Sequence, residues 1–339
     1  MNIRKLREDE WDAVAKLIHA STNSWYEKNL NRAVFQRDDP SGCRVFPEVY
    51  EALDPGCCLV AEEEGTGRFM GSCFYHPRET HVSLGIMNAH PDFAGRGVAR
   101  ALLEEIIRRA GDLPVRLVSS AMNLDSYSLY TRAGFVPREL YQDMFLPAKI
   151  AQSVAPAGAE RVREATLGDV DAMVALEEEI SGIRRPKDYR FFIVNEQSVW
   201  RVFVFEGENG IEGFLASIDH PGSCMLGPGV MQSEDAALAL IHTQLSAMPG
   251  REPVFLIPTR AARLVAGLYG WGARNCEMHV AQVLGDVQDF RGVSMPTFMP
   301  ETGLGGRGRV FRIQCGVFRL GAELNEVAPT WQTAVGQRF

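Results

Sequence analysis

The sequence predicts an α/β protein of two similar lobes, each a twisted mixed β-sheet flanked by helices, and three observations predict it. Stretches of strand period alternate with stretches of helical period along the whole chain. The opening pattern, Ile3-Arg4-x-Leu6 followed by Glu10-Trp11-Asp12-Ala13-Val14, returns about 159 residues later as Val162-Arg163-x-Ala165 followed by Asp169-Val170-Asp171-Ala172-Met173, which reads as an internal duplication. Finally, 339 residues that are 46% hydrophobic and 23% charged are too many for one ordinary domain and too apolar for disorder.

Between the copies, Lys149 to Glu160 holds small and turn-forming residues without apolar periodicity and is the expected linker. It divides residues 1–149 from residues 160–339. In the first lobe Asn2 to Leu6 reads as a strand, and Trp11, Val14, Leu17 and Ile18 recur at helical spacing. Cys58 to Glu62 then turns through Glu64-Gly65-Thr66-Gly67 into Phe69 to Tyr75, a hairpin. Ser83 to Ala89 is a strand, Val98 to Arg109 an amphipathic helix and Val115 to Ser119 the next strand.

The second lobe repeats this order with Val202 to Phe205, a Gly207-Glu208-Asn209-Gly210 turn, and Gly213 to Ile218. Cys224 to Met231, Glu234 to Ala247, Val254 to Ile257 and Ala261 to Leu268 follow. Arg309 to Phe318 alternates as a closing strand, while Met295 to Pro300 reads as an irregular crossing and Glu177-Glu178-Glu179 as a solvated helix face. Arg184 to Phe192 has no assignment from sequence.

A net charge of −8 and the lack of Lys/Arg runs interleaved with aromatics argue against nucleic acid or an anionic membrane as partner. The first residues lack the apolar core of a signal peptide and no stretch of about 18 apolar residues occurs, so a cytoplasmic protein is expected. Seven scattered cysteines without a CxxC pair predict neither a disulfide framework nor a metal site.

Chemistry concentrates in two segments of the first lobe. Asn88 to Leu103 ends a strand at Pro91 and starts a helix in the turn Gly95-Arg96-Gly97, where backbone amides at a helix N-terminus make an anion cradle beside Arg96 and Arg100. An ordinary strand-to-helix turn explains the same glycines. The second segment is Asn123-Leu-Asp-Ser126-Tyr-Ser-Leu129-Tyr130-Thr-Arg-Ala-Gly134-Phe135.

Together these segments resemble the GNAT acetyltransferases. Gly97 and Ala99 fill the small positions of the family's (Q/R)xxGx(G/A) pattern, with Ala94 at its Gln/Arg position, and the second segment fits N-x-x-(A/S)-x-x-L-Y-x-x-x-G-F throughout. The resemblance implies an N-acetyltransferase that takes acetyl-CoA as co-substrate, uses no metal, and acylates a primary amine on a small molecule or peptide. It implies that amides around Gly95, Arg96, Gly97, Val98, Ala99 and Arg100 hold the pyrophosphate and that Met87, Asn88 and Ala89 pair with the pantetheine arm. Asn123, as helix cap or pantetheine contact, and Ser126 complete the binding set. Tyr130 is the implied general acid, since a phenol with a pKa of about 10 stays protonated at neutral pH. His76, Glu79, His90 and Asp125 are weak candidates for a base, and none is assigned.

In the second lobe, aligning Leu240-Ile241 with Leu102-Leu103 puts Ser233 at Gly95 and Asp235 at Gly97. Thr259-x-x-Ala262-x-x-Val265-Ala266-x-x-x-Gly270-Trp271 puts Ala266 at Tyr130, with Tyr269 nearby read as a packing residue. Residues 1–149 are therefore the expected catalytic lobe, and residues 160–339 a degenerate copy with a C-terminal extension that helps shape the acceptor pocket. A non-catalytic acyl-CoA sensor and a two-lobed acyltransferase similar to mycothiol synthase are the alternatives.

Overall fold

The computed structural model describes residues 1–147, 155–286, 288 and 291–297. The first lobe runs β1 (Asn2–Lys5), α1 (Trp11–Leu30), α2 (Val45–Leu53), β2 (Cys58–Glu62), β3 (Phe69–Pro77), β4 (Val82–Ala89), α3 (Val98–Ala110), β5 (Val115–Ser120), α4 (Leu124–Arg132) and β6 (Val136–Phe145). The second begins with β7 (Val162–Glu164), α5 (Val170–Ser181), α6 (Pro186–Val194), β8 (Trp200–Gly207) and β9 (Gly210–His220). It continues with β10 (Ser223–Met231), α7 (Glu234–Ser246), β11 (Val254–Pro258), α8 (Ala262–Gly270), β12 (Arg274–Leu284) and β13 (Val293–Met295). The first half of the linker, residues 149–154, the end of the Met295 to Pro300 stretch and the strand expected at Arg309 to Phe318 lie outside the described residues.

The duplication persists in side-chain contacts. Arg4 bonds Glu10 at 2.6 Å and also Glu62, and Arg163 bonds Asp169 at 2.8 Å and Glu206 at 2.6 Å. Each arginine thus ties its first strand both to the start of the following helix and to an acidic residue near the neighbouring strand's end.

The lobes share one sheet, ordered β1-β2-β3-β4-β5-β12-β6-β11-β10-β9-β8-β7, with β13 added on β10. Element order alone pairs β6 with β5 and β12 with β11. Instead β12 of the second lobe lies between β5 and β6 of the first, antiparallel to both, from Leu284↔Val115 to His279↔Ser120 on one side. In return β6 pairs with β11, from Val254↔Phe145 to Pro258↔Tyr141. Each lobe has exchanged its late strand with the other.

Adjacent residues of a strand point to opposite faces, and the cores follow. Val118, Tyr141, Leu256 and Ala281, from the four central strands, pack with Ile18 of α1, Tyr50 of α2, Ile180 of α5 and Phe192 of α6. On the other face Leu117 packs with Leu102, Leu103, Tyr130 and Phe135 around α3 and α4, and Phe255 packs with Leu240, Ile241, Leu264 and Leu268 around α7 and α8. Each fully buried leucine contributes about 1.5–3 kcal/mol. Helix α3 sits so close to the sheet that a Cβ on Gly71 would lie 2.6 Å from Val98 Cγ1 and 2.7 Å from the Asn88 carbonyl oxygen. Only glycine fits there.

Three sequence expectations change. Glu177 is not solvated but buried, with its carboxylate accepting from Arg185 at 2.8 Å and from Tyr189. Tyr269 is 48% exposed rather than packed, donating to Asn275 Oδ1 at 3.2 Å. The Met/Pro stretch begins on a strand, since Met295 ends β13. Among the described residues no helix is long and apolar enough to cross a membrane.

Candidate active site

Strands β4 and β5 run parallel but pair only at Val82↔Val115 and Ser83↔Arg116. Beyond Ser83 they part, β4 running to Ala89 and β5 to Ser120. The β4 edge from Leu84 to Ala89 is left as an unpaired row of backbone donors and acceptors at a split in the sheet. Such an edge accepts an extended ligand as an added strand. Met87, Asn88 and Ala89 lie on it. The Asn88 Oδ1 accepts from Ser21 on α1, and its buried Nδ2 has no hydrogen-bond partner.

Immediately after β4, a short 3-10 turn at Pro91–Phe93 carries the chain to the start of α3. Gly95 and Gly97 stand there at φ +74° and +77°, in the left-handed region, with Gly97 as the N-cap. The first-turn amides at Val98, Ala99 and Arg100 have no carbonyl within the helix to serve, and the helix dipole adds partial positive charge. The Arg96 amide, expected from sequence to join this cradle, is instead bonded to the Phe93 carbonyl at 3.2 Å. The Arg96 guanidinium lies 5.0 Å from the Phe93 ring centroid and 3.4 Å from Glu63. Arg100 is exposed, with Glu104 at 3.9 Å.

Helix α4 follows β5. Asn123 caps it, its Oδ1 accepting from the Ser126 amide at 3.1 Å, so the structure realises the capping role for both. Tyr130 is buried on the α3/α4 face, its ring 5.8 Å from that of Phe135 in the cluster that includes Leu84 of β4 and Leu117 of β5. The structure thus gathers the strand edge, the glycine turn and Tyr130 around one split.

The second lobe has the same split, with its contents replaced. β10 and β11 pair only at Met225↔Val254 and Leu226↔Phe255. Its free edge is covered by β13, through Gly229↔Met295, Val230↔Ser294 and Met231↔Val293. The start of α7 is capped by Ser233, whose Oγ accepts from the Ala236 amide at 3.2 Å. Glu234 accepts from the Leu264 amide at 2.7 Å, and Arg263 lies 3.5 Å from Asp235. Both the strand edge and the helix start are spent on the protein itself.

Two groups of residues, apart from the weak base candidate His76, were not singled out from sequence as site residues. Glu277, carried into the first lobe by β12, accepts from Ser120 at 2.6 Å and from Tyr26 at 2.9 Å at the open end of β5. Burial, then the Glu277 charge, pushes the Tyr26 phenol up.

The second group lies at the closed end of the split. There Asp54 Oδ2 lies 2.6 Å from His76 Nδ1 and Asp54 Oδ1 accepts from Arg78 at 2.9 Å. Arg78 Nε donates to Asp188 of α6 at 3.0 Å. Burial raises the Asp54 carboxyl, but His76 and Arg78 together outweigh it and hold it below the ordinary carboxylate range. Burial pushes His76 and His81 down, so both are neutral at pH 7. The only sequence signal was polar residues in otherwise apolar strands, such as Arg116 in Val-Arg-Leu-Val. Among the described residues no group of three or more His, Cys, Asp or Glu is arranged to hold a metal.

Residues 15–135 match the family model described as Acetyltransferase (GNAT) family. No protein of curated function matches the sequence. Among solved structures, an assigned acetyltransferase of Pyrococcus horikoshii is 16% identical, covering 86% of this chain and 93% of its own, with a TM-score of 0.65. A GCN5-related N-acetyltransferase of Sphaerobacter thermophilus is 18% identical over 86% and 97% of the two chains, at TM-score 0.56. A tandem GNAT protein from the clavulanic acid biosynthesis pathway is 14% identical over 84% and 98%, at TM-score 0.54. At such identities these structures speak to the fold, and the tandem architecture extends across both lobes. Residues 15–135 thus match the GNAT family, and the likeness to the solved structures extends that fold across both lobes.

Proposed function

We propose that the first lobe transfers an acetyl group from acetyl-CoA to a primary amine by direct attack, with Tyr130 as general acid. The observation that carries this reading is the contrast between the two splits: an unpaired β4 edge beside a glycine helix start in one lobe, a covered edge beside a carboxylate-filled helix start in the other.

Acetyl-CoA supplies the thioester carbon. The amides from Gly97 to Arg100 bind its pyrophosphate, and the Met87 to Ala89 edge orients the pantetheine as an added strand. The amine nitrogen bonds to the carbonyl carbon, the carbon–sulfur bond breaks, and the Tyr130 hydroxyl gives the departing thiolate its proton. The ammonium proton goes to solvent. Ala266 stands where Tyr130 does, so the second lobe lacks the donor.

Acetyl-CoA turnover across amines, polyamines, amino acids and peptides tests the activity and separates an enzyme from a sensor. Tyr130→Phe should lower kcat by about 10²–10⁴-fold with little change in acetyl-CoA affinity. Unchanged turnover removes Tyr130 from the mechanism.

A further inference from the structure

We propose that Arg116, with Arg185, seats the carboxylate of the acceptor, so that the amine acylated by this protein is an amino acid or another amine bearing a carboxylate. This rests on the acyl-transfer reading of the first lobe.

Arg116 occupies the last paired position before β4 and β5 part, opposite Ser83. Val118, two residues on and on the same face, packs with α1, α2, α5 and α6, so Arg116 faces that side, away from Tyr130. It is fully buried, yet Nε, Nη1 and Nη2 all lack a hydrogen-bond partner. A guanidinium carries five donors in a fixed fork and cannot shed its charge, and burying one without acceptors is strongly unfavourable. Some acceptor belongs there.

The surrounding carboxylates are engaged elsewhere. Asp54 serves His76, Arg78 and Lys187, Glu177 serves Arg185 and Tyr189, and Asp188 serves Arg78. None of these carboxylates hydrogen-bonds Arg116, although in number they match the three buried arginines, Arg78, Arg116 and Arg185. Two more buried nitrogens nearby lack a hydrogen-bond partner, Arg185 Nη1, which lies 3.9 Å from Asp188, and His76 Nε2. His81, also buried, is held between Thr80 Oγ1 and Ser83 Oγ, each at 3.1 Å. A carboxylate supplies the missing acceptors and matches the guanidinium fork bidentately. Its attached amine then reaches the thioester through the split, from the face opposite α3 and α4.

The test compares acceptors that differ only at the carboxylate: the standard amino acids, β-alanine and γ-aminobutyrate against their amides and decarboxylated amines. The readout is kcat/KM for CoA release from acetyl-CoA, for wild type, R116M and R116K, with acetyl-CoA affinity measured by calorimetry. The wild type should favour the carboxylated member by about 100-fold or more. R116M should lose at least about 30-fold of that preference, R116K less, with acetyl-CoA Kd within about two-fold throughout.

Should R116M not fold, the wild-type preference decides, together with thermal stabilisation of wild type by the amino acids but not by their amides. Acetyl-CoA binding with no carboxylate preference, or a preference that R116M keeps, overturns the proposal while leaving acyl transfer standing. A wild type that does not bind acetyl-CoA takes down both.

Discussion

Gly97 allows backbone strain and charge at the helix start to be separated. A Cβ built on it meets nothing closer than Arg100 Nη2, at 3.7 Å, so Gly97→Ala introduces no clash. What it introduces is a left-handed backbone on a residue with a Cβ, at about 1 kcal/mol. That conformation is already present without ligand, so the cost falls on folding and acetyl-CoA affinity should change by less than about three-fold.

Gly97→Asp has the same strain, offset by about 0.3–1 kcal/mol from an acid at the helix N-terminus. Its carboxylate, though, stands where the pyrophosphate is held and within reach of Arg100. At about 5 Å and an effective dielectric of about 20, each pair of unit charges costs about 3 kcal/mol. Acetyl-CoA Kd should therefore rise by about 100-fold or more while stability stays near that of Gly97→Ala. Calorimetric titration and urea unfolding of both variants supply the numbers. Equal affinity in Gly97→Asp and wild type would refute pyrophosphate binding at this helix start, and equal losses in the two variants would refute the division of strain from charge.

Three other outcomes follow from the structure. Calorimetry should give one acetyl-CoA per chain, because β13 and Glu234 fill the second split; two per chain would contradict this. His76 and His81 are neutral when folded and protonate below about pH 6.5 when unfolded, so the unfolded chain binds more protons there and stability falls as pH falls. The slope is up to about 1.4 kcal/mol per pH unit for each. Asp54 adds a further loss once pH drops below about 3.9. A urea midpoint constant from pH 7.5 to pH 5.5 argues against buried neutral histidines. Residues 1–147 expressed alone should not give a folded monomer, because β5 and β6 lose the strand between them, whereas co-expression with residues 155–339 should restore a soluble pair. A fragment 1–147 that melts cooperatively as a monomer refutes this.

What could be read from the sequence was local. The Gly95-Arg96-Gly97 turn, the Asn123 to Phe135 segment and the hairpins each depend on residues within a dozen positions of one another. The contrast at the second lobe's helix start was also visible, because Ser233 and Asp235 stand at the positions aligned with Gly95 and Gly97. The strand exchange was not, since the alternation in Arg274 to Leu284 says which residues face the core but not which neighbour they pair with. The β13 cover was equally hidden, being a strand of only three residues, Val293–Met295, beyond β12. The buried charges at the closed end of the split depend on α6 reaching the loop after β3, where Arg78 bonds Asp188, and on α5 meeting α6, which makes Glu177 an interior partner for Arg185 rather than a surface acid.

The exchange of β6 and β12 also sets a timetable for synthesis. β5 and β6 are made early, but the strand that joins them ends about 140 residues after β6, or roughly 7–30 s later at about 5–20 residues per second. Until then the first lobe has its glycine turn and Tyr130 but an incomplete sheet, with two long edges open to other nascent chains. The proposed acetyl-CoA site is complete only when the second lobe has left the ribosome.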